Sequence, residues 1–182
     1  MKTVLVPLAS GFEEIETITV VDILRRAGAR VILAGTIQGP LKGSRGVLVL
    51  PDENLDDVLD KEFDLIVLPG GQPGTDNLKG DARIIQLVKK MDGLKKNIAA
   101  ICAAPLVLQE AGILAKHSIT SHPSVQNHLQ APGYSEDRVV VDKNIVTSKS
   151  PGTAMEFSLK LVEILFGTER RDVVNQGVLA KI

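Results

Sequence analysis

The absences in this sequence narrow the reading first. The 182 residues include one cysteine, Cys102, and no tryptophan. A lone cysteine excludes an intramolecular disulfide and any metal cluster built on several thiolates. Aromatic residues make up 3% of the chain, which argues against a base-stacking platform. The formal net charge is -1 with no run of like charge, so neither a nucleic-acid footprint nor a polybasic membrane patch is expected. No apolar run approaches the ~20 residues that span a bilayer. The opening VLVPLA is too short for a secretory segment and leads straight into acids, so a cytoplasmic chain is expected. The three histidines, His117, His122 and His128, are spaced by five and six residues and share no helical face. No metal site and no cofactor are therefore expected, and His117 and His128 read as surface residues.

What is present is ordinary globular composition, 44% hydrophobic and 24% charged, long enough for one domain over 1–182. Strand patterns rich in Val and Ile cover 3–8, 30–35, 63–71 and 97–102, with a shorter one at 47–51. Helical patterns cover 13–28, 81–93, 103–114, 151–167 and 168–177, with a turn or two at 55–60. In the first helix Ile15, Ile18, Val21 (or Ile23) and Leu24 are expected to face inward, and Gly28 to end it. The stretch 118–149 reads as short strands, SITSH and then RVVVD and NIVTS around the turn Asp142-Lys143-Asn144. Continuously apolar strands separated by helices imply a mostly parallel sheet covered on both faces. The expected fold is α/β: a flavodoxin-like, doubly wound sheet sandwiched by helices, with a small appended β-hairpin.

In such folds ligands bind beyond the carboxyl ends of the strands. That rule selects the turns GFEEIE, LPGG and ICAAP. Cys102 stands where a buried strand meets a helix, the setting of a nucleophile elbow, with Ala100 and Ala104 as the small flanking residues. A helix N-terminus there would favour thiolate and lower the thiol pKa. Gly70 and Gly71 let the backbone pass close to a ligand, and with the Ala103 amide they could stabilise an oxyanion. His122, held extended by Pro123, is a candidate base. GFEEIET sets Glu13, Glu14 and Glu16 within four residues. Acids suit a helix start, yet one near a thiolate would be buried, raised in pKa and protonated. Spacing alone leaves Glu13 and Glu16 as equal candidates for that role.

Five motifs, GFEEIET (11–17), VLPGG (67–71), AAICAAP (99–105), SHP (121–123) and TSKSPGTAMEF (147–157), occur in order over nearly the whole chain. Together they resemble the ThiJ/PfpI superfamily, on the branch of the Parkinsonism-associated protein deglycase and its bacterial relatives. The resemblance implies that Cys102 is a reactive, oxidation-prone thiol and Glu16 its protonated partner. It implies that His122 is the nearby histidine, that Gly71 and Ala103 form a backbone-amide hole, and that Arg45 lies near a dimer interface and the pocket entrance. It further implies a homodimer acting on small dicarbonyls or on glycated proteins and nucleotides, as a glutathione-independent glyoxalase or protein deglycase. An oxidative-stress sensor or chaperone using Cys102 sulfinate is the alternative. A peptidase or amidase ranks lower. Ala103 replaces the His that follows the nucleophile in the protease branch, and Ser124 follows His122-Pro123 where an amidotransferase triad carries Glu.

Overall fold

A computed structural model describes residues 1–180. The first half runs β1 (Thr3–Leu8), α1 (Glu14–Arg26), β2 (Arg30–Gly35), β3 (Leu41–Lys42), β4 (Leu48–Val49), β5 (Glu53–Asn54), β6 (Leu65–Leu68), α2 (Gly74–Gly80) and α3 (Ala82–Gly93). The second half runs β7 (Asn97–Ile101), α4 (Pro105–Glu110), β8 (Ser118–Ile119), α5 (Pro123–Gln126), β9 (Gly133–Tyr134), β10 (Val139–Asp142), β11 (Ile145–Ser148), α6 (Ala154–Phe166) and α7 (Thr168–Val178).

The main sheet has the order β10-β11-β7-β6-β1-β2-β5, parallel except for the antiparallel β10–β11 hairpin at one edge. Its five longer parallel strands give the doubly wound arrangement that the sequence pattern predicts. Burial on both faces explains the absence of polar alternation. Val4, Val6 and Leu8 of β1 join Val67 and Ile101 in one core layer with α1 and α6. Leu5 joins Ile66, Leu68 and Ile98 in the opposite layer, with Val88 of α3 and Val107 of α4. Successive side chains of a strand point to opposite faces, so an unbroken apolar run fills two cores at once.

Three sequence expectations are corrected here. Ile15 and Ile18 are 56% and 45% exposed, and the inward stripe of α1 is Glu16, Thr17, Val20, Val21, Ile23 and Leu24. Two polar residues occupy the top of that stripe, which an apolar periodicity count cannot anticipate. His117 is only 6% exposed, with Nδ1 3.6 Å from an Asp142 carboxylate oxygen. A second hairpin, β3–β4, and the short helix α2 carry no clear periodicity and are additions to the sequence reading.

Candidate active site

Order reverses on either side of β1, so the carboxyl ends of β1, β6 and β7 open onto one crevice. The three turns singled out above follow those strands, and they meet. A cleft of about 410 Å³ is lined by Glu13, Ser44, Arg45, Gly71, Gln72, Cys102, Ala103, His122, Ser124 and Pro151.

Cys102 forms the floor. It follows the last residue of β7 and adopts φ +64°, a left-handed conformation uncommon for a side chain with a Cβ. Its N–H donates to Ser148 O and its carbonyl accepts from His122 N–H, both at 2.9 Å, so the strained residue is pinned from two sides. Helix α4 starts only at Pro105, with Ala104 as its N-cap. The thiol is therefore not in the first turn, and helix position does not depress its pKa. Burial pushes the thiol up, and the charged form of Glu16 pushes it further, to about 12. The amides of Ala103 and Gly71, both directed at the sulfur, pull in the other direction.

Glu16 lies beneath the cleft with 0% of its surface exposed. Burial raises its pKa from 4.5 to about 7, helped by the charge of Glu13 and opposed by hydrogen bonds from Gly70 and Cys102. Its Oε2 accepts from Gly70 N–H at 2.8 Å, and Oε1 is buried without a hydrogen-bond partner. An unpartnered buried carboxylate oxygen is costly, whereas a protonated carboxyl beside sulfur is not. Two like charges cannot both persist here, so the pair loses a first proton near neutrality and holds its second far more tightly.

The remaining acids separate cleanly. Glu13 is the N-cap of α1, accepting from Glu16 N–H at 2.7 Å, as a helix-start reading expects. Glu14 does not serve the helix start alone. Its carboxylate accepts from the N–H groups of Arg45 and Val47 and from Ser44 Oγ. Burial works against its charge, yet those donors outweigh it and the pKa is lowered.

Gly70 is also corrected: it does not line the cleft, and its amide is engaged by Glu16 rather than free for a substrate oxygen. A Cβ there would stand 2.7 Å from both Cys102 Cβ and Glu16 Oε2. Gly71 has φ +91°, and a Cβ would strike the Glu13 amide, so glycine is required at both positions. His122 lines the cleft and caps α5. Its Nδ1 accepts from Ser124 N–H at 3.2 Å and lies 2.8 Å from Ser124 Oγ, so Nε2 carries the proton of the neutral ring. Arg45 is exposed at the cleft wall. Ser44, Gln72, Ser124 and Pro151 are additions; the first three are sequence neighbours of Arg45, Gly71 and His122, and Pro151 falls within the TSKSPGTAMEF motif. Among the described residues no group of three or more His, Cys, Asp or Glu could hold a metal ion. No helix among them is long and apolar enough to cross a membrane.

The pH dependence of stability follows from Glu16. Its folded-state pKa lies above the unfolded value, so the native state holds the proton more tightly. The contribution is whole below pH ~4.5, declines as pH rises toward about 7, and levels off above that. At about 1.4 kcal/mol per pH unit, the window from 4.5 to about 7 amounts to about 3 kcal/mol. Urea unfolding of wild type and Glu16→Gln at pH 4.5 and pH 8 checks this: the wild-type stability relative to the variant should fall by that amount.

Fold and site together define an α/β protein with a cysteine at a strand-end elbow, paired with a buried carboxyl. The model of the DJ-1/PfpI family matches residues 2–164, and the chain belongs to that family. It is 43% identical over 181 residues to protein dj-1beta of Drosophila melanogaster, covering 98% of this chain and 97% of that one. It is 44% identical over 163 residues to the glutathione-independent glyoxalase DJR-1.2 of Caenorhabditis elegans, covering 87% and 85%. The crystal structure of Drosophila melanogaster DJ-1beta matches with a TM-score of 0.97 at 42% identity, over 100% of this chain and 99% of that one. The structure of oxidized Toxoplasma gondii DJ-1 matches with a TM-score of 0.97 at 37% identity, over 100% of both chains. The chain spans only 43% and 39% of the length of DJ-1 homologs A and B of Arabidopsis thaliana, at 43% and 37% identity.

Proposed function

We propose that the protein is a cysteine-dependent, glutathione-independent glyoxalase or protein deglycase acting on methylglyoxal, glyoxal or their protein and nucleotide adducts. The observation that carries this reading is the buried Glu16 carboxyl paired with Cys102 at the floor of an open cleft, with the Gly71 and Ala103 amides on the sulfur. A family relative that bears the name of such a glyoxalase adds support.

Glu16, near its midpoint at neutral pH, accepts the thiol proton while the Cys102 sulfur attacks the aldehyde carbon. The amides flanking the sulfur hold the developing alkoxide, and Glu16 returns the proton to give a hemithioacetal. Glu16, with or without His122, then moves a proton from the former aldehyde carbon to its neighbour through an enediol. The product is a thioester, which water cleaves to the 2-hydroxy acid and free thiol. For a glycated side chain the same proton shift turns the carbinol adduct into an acyl derivative of the 2-hydroxy acid. Cys102 then displaces the amine, guanidine or thiol to give the same thioester, which water cleaves to the acid and free thiol. The test is conversion of methylglyoxal to lactate without glutathione, followed to many turnovers per chain; none at all removes the glyoxalase reading.

A second reading, an oxidation sensor or chaperone at the same thiol, rests on the free Cys102 in an open cleft and on a matching relative solved in its oxidized form. Peroxide would add two oxygens stepwise, releasing one water each time, and neutral Glu16 would donate to the sulfinate. Intact mass under graded peroxide should stop at two added oxygens on Cys102 in wild type and not in Glu16→Ala. Indiscriminate oxidation removes this reading.

We also infer a homodimer. Ile15 and Ile18 on α1 and Val47, Leu48 and Leu50 at the β3–β4 hairpin are exposed, and Glu14 joins the two elements. A sedimenting mass of one chain would count against it.

A further inference from the structure

We propose that Glu14 is a positioning residue that fixes the 43–47 turn so that Arg45 stands at the cleft over Cys102. The inference rests on Cys102 being the reachable thiol of that cleft.

The turn connects β3 to β4 and has no hydrophobic anchor at its tip within its own chain, where Arg45, Gly46 and Val47 are exposed. It is held instead by hydrogen bonds to the segment before and at the start of α1. Gly11 N–H donates to Lys42 O and Ser44 N–H to Phe12 O, both at 2.8 Å. Glu14 closes the arrangement. One carboxylate oxygen accepts from Arg45 N–H at 2.7 Å and Val47 N–H at 3.3 Å, and the other from Ser44 Oγ at 3.2 Å. Gly43 leaves room for this, since a Cβ there would strike Glu14 Oε1. The two residues so gripped, Ser44 and Arg45, are the ones this turn contributes to the cleft. Three hydrogen bonds converging on one carboxyl fix a loop more firmly than an exposed side-chain ion pair would. Glu14 is absent from the cleft lining; it acts through Arg45, which it holds by the backbone.

The chain has a single thiol, so alkylation reports on Cys102 alone. Iodoacetate and iodoacetamide share one chemistry and differ in charge, and their rate ratio reads whether a cation stands over the sulfur, independently of the thiol's own reactivity. At low salt, Arg45→Met should lower the iodoacetate-to-iodoacetamide ratio by about threefold or more, from Coulomb attraction at partly screened range. Glu14→Ala should lower it equally. Gly43→Ala, which breaks the same contact from the loop side, should do so too. Glu14→Gln keeps an acceptor for the amides and should retain the wild-type ratio. Adding Arg45→Met to Glu14→Ala should lower the ratio no further, since both act on one interaction.

A wild-type ratio in Arg45→Met, or in both Glu14→Ala and Gly43→Ala, overturns the proposal. So does an additive double variant. A Glu14→Gln ratio as low as that of Glu14→Ala would make charge rather than placement responsible, and would overturn it as well. Alkylation needs no turnover, so a protein that behaves as expected here yet converts no dicarbonyl sinks the glyoxalase reading alone.

Discussion

Cys102→Ala is expected to abolish conversion of methylglyoxal to lactate, leaving no rate above the uncatalysed background. The expectation is this severe because the reaction as derived is covalent from its first step. The described residues offer no substitute thiol, since Cys102 is the chain's single cysteine. The substitution should leave the fold intact. Cys102 packs at the edge of one core layer, its fixed groups are backbone N–H and C=O, and Ala retains both. The cost to stability is the φ of +64° that any Cβ-bearing residue must accept, which wild type already bears. Steady-state kinetics with circular dichroism of the same preparation check the two halves together. Unchanged turnover in a folded Cys102→Ala would remove covalent catalysis at this site.

Glu16→Gln should lower kcat by about 10²- to 10⁴-fold, the range typical of losing a general acid–base group. Gln is the informative substitution because it retains an acceptor for the Gly70 amide, so the β6 turn keeps its hydrogen bond. What it loses is the exchangeable proton. The effect should fall on kcat more than on KM, since Glu16 lies beneath the cleft and does not line it. A KM effect with kcat preserved would make Glu16 a structural support, and His122 would become the proton carrier.

Much of the architecture was legible in the sequence because buried parallel strands and amphipathic helices write themselves as composition and period. Leu5, Ile66 and Ile98 could be read as interior from their runs alone. The site was legible in outline for another reason: a doubly wound sheet brings the ends of its central strands together, so three separate turns had to converge. What could not be read was which face a polar residue takes. Glu16 and Thr17 occupy inward positions of α1, which pushes Ile15 and Ile18 outward, against the pattern. Gly70 and Gly71 look equivalent in sequence, yet the first amide is held by Glu16 and the second faces the sulfur. Glu14 reads as a helix-start acid, and its bonds to a turn some thirty residues away are tertiary. The thiol departed furthest from expectation. A helix N-terminus was the sequence-level reason for a depressed pKa, but α4 begins beyond Cys102, and burial beside a carboxyl dominates.

That departure moves reactivity from the cysteine to the pair, and the central claim is that Glu16 and Cys102 share one proton at neutral pH. The most direct measurement is the pH profile of Cys102 alkylation by iodoacetamide in wild type and in Glu16→Gln. Wild type should show a first inflection near about 7, where the pair loses its first proton, and a further rise only well above the ~8.5 of a free thiol, where the proton held by both groups is lost. The variant, with no second titrating group, should give a displaced profile. A single wild-type inflection at the free-thiol value with none near 7, or identical profiles in the two proteins, would contradict the shared proton.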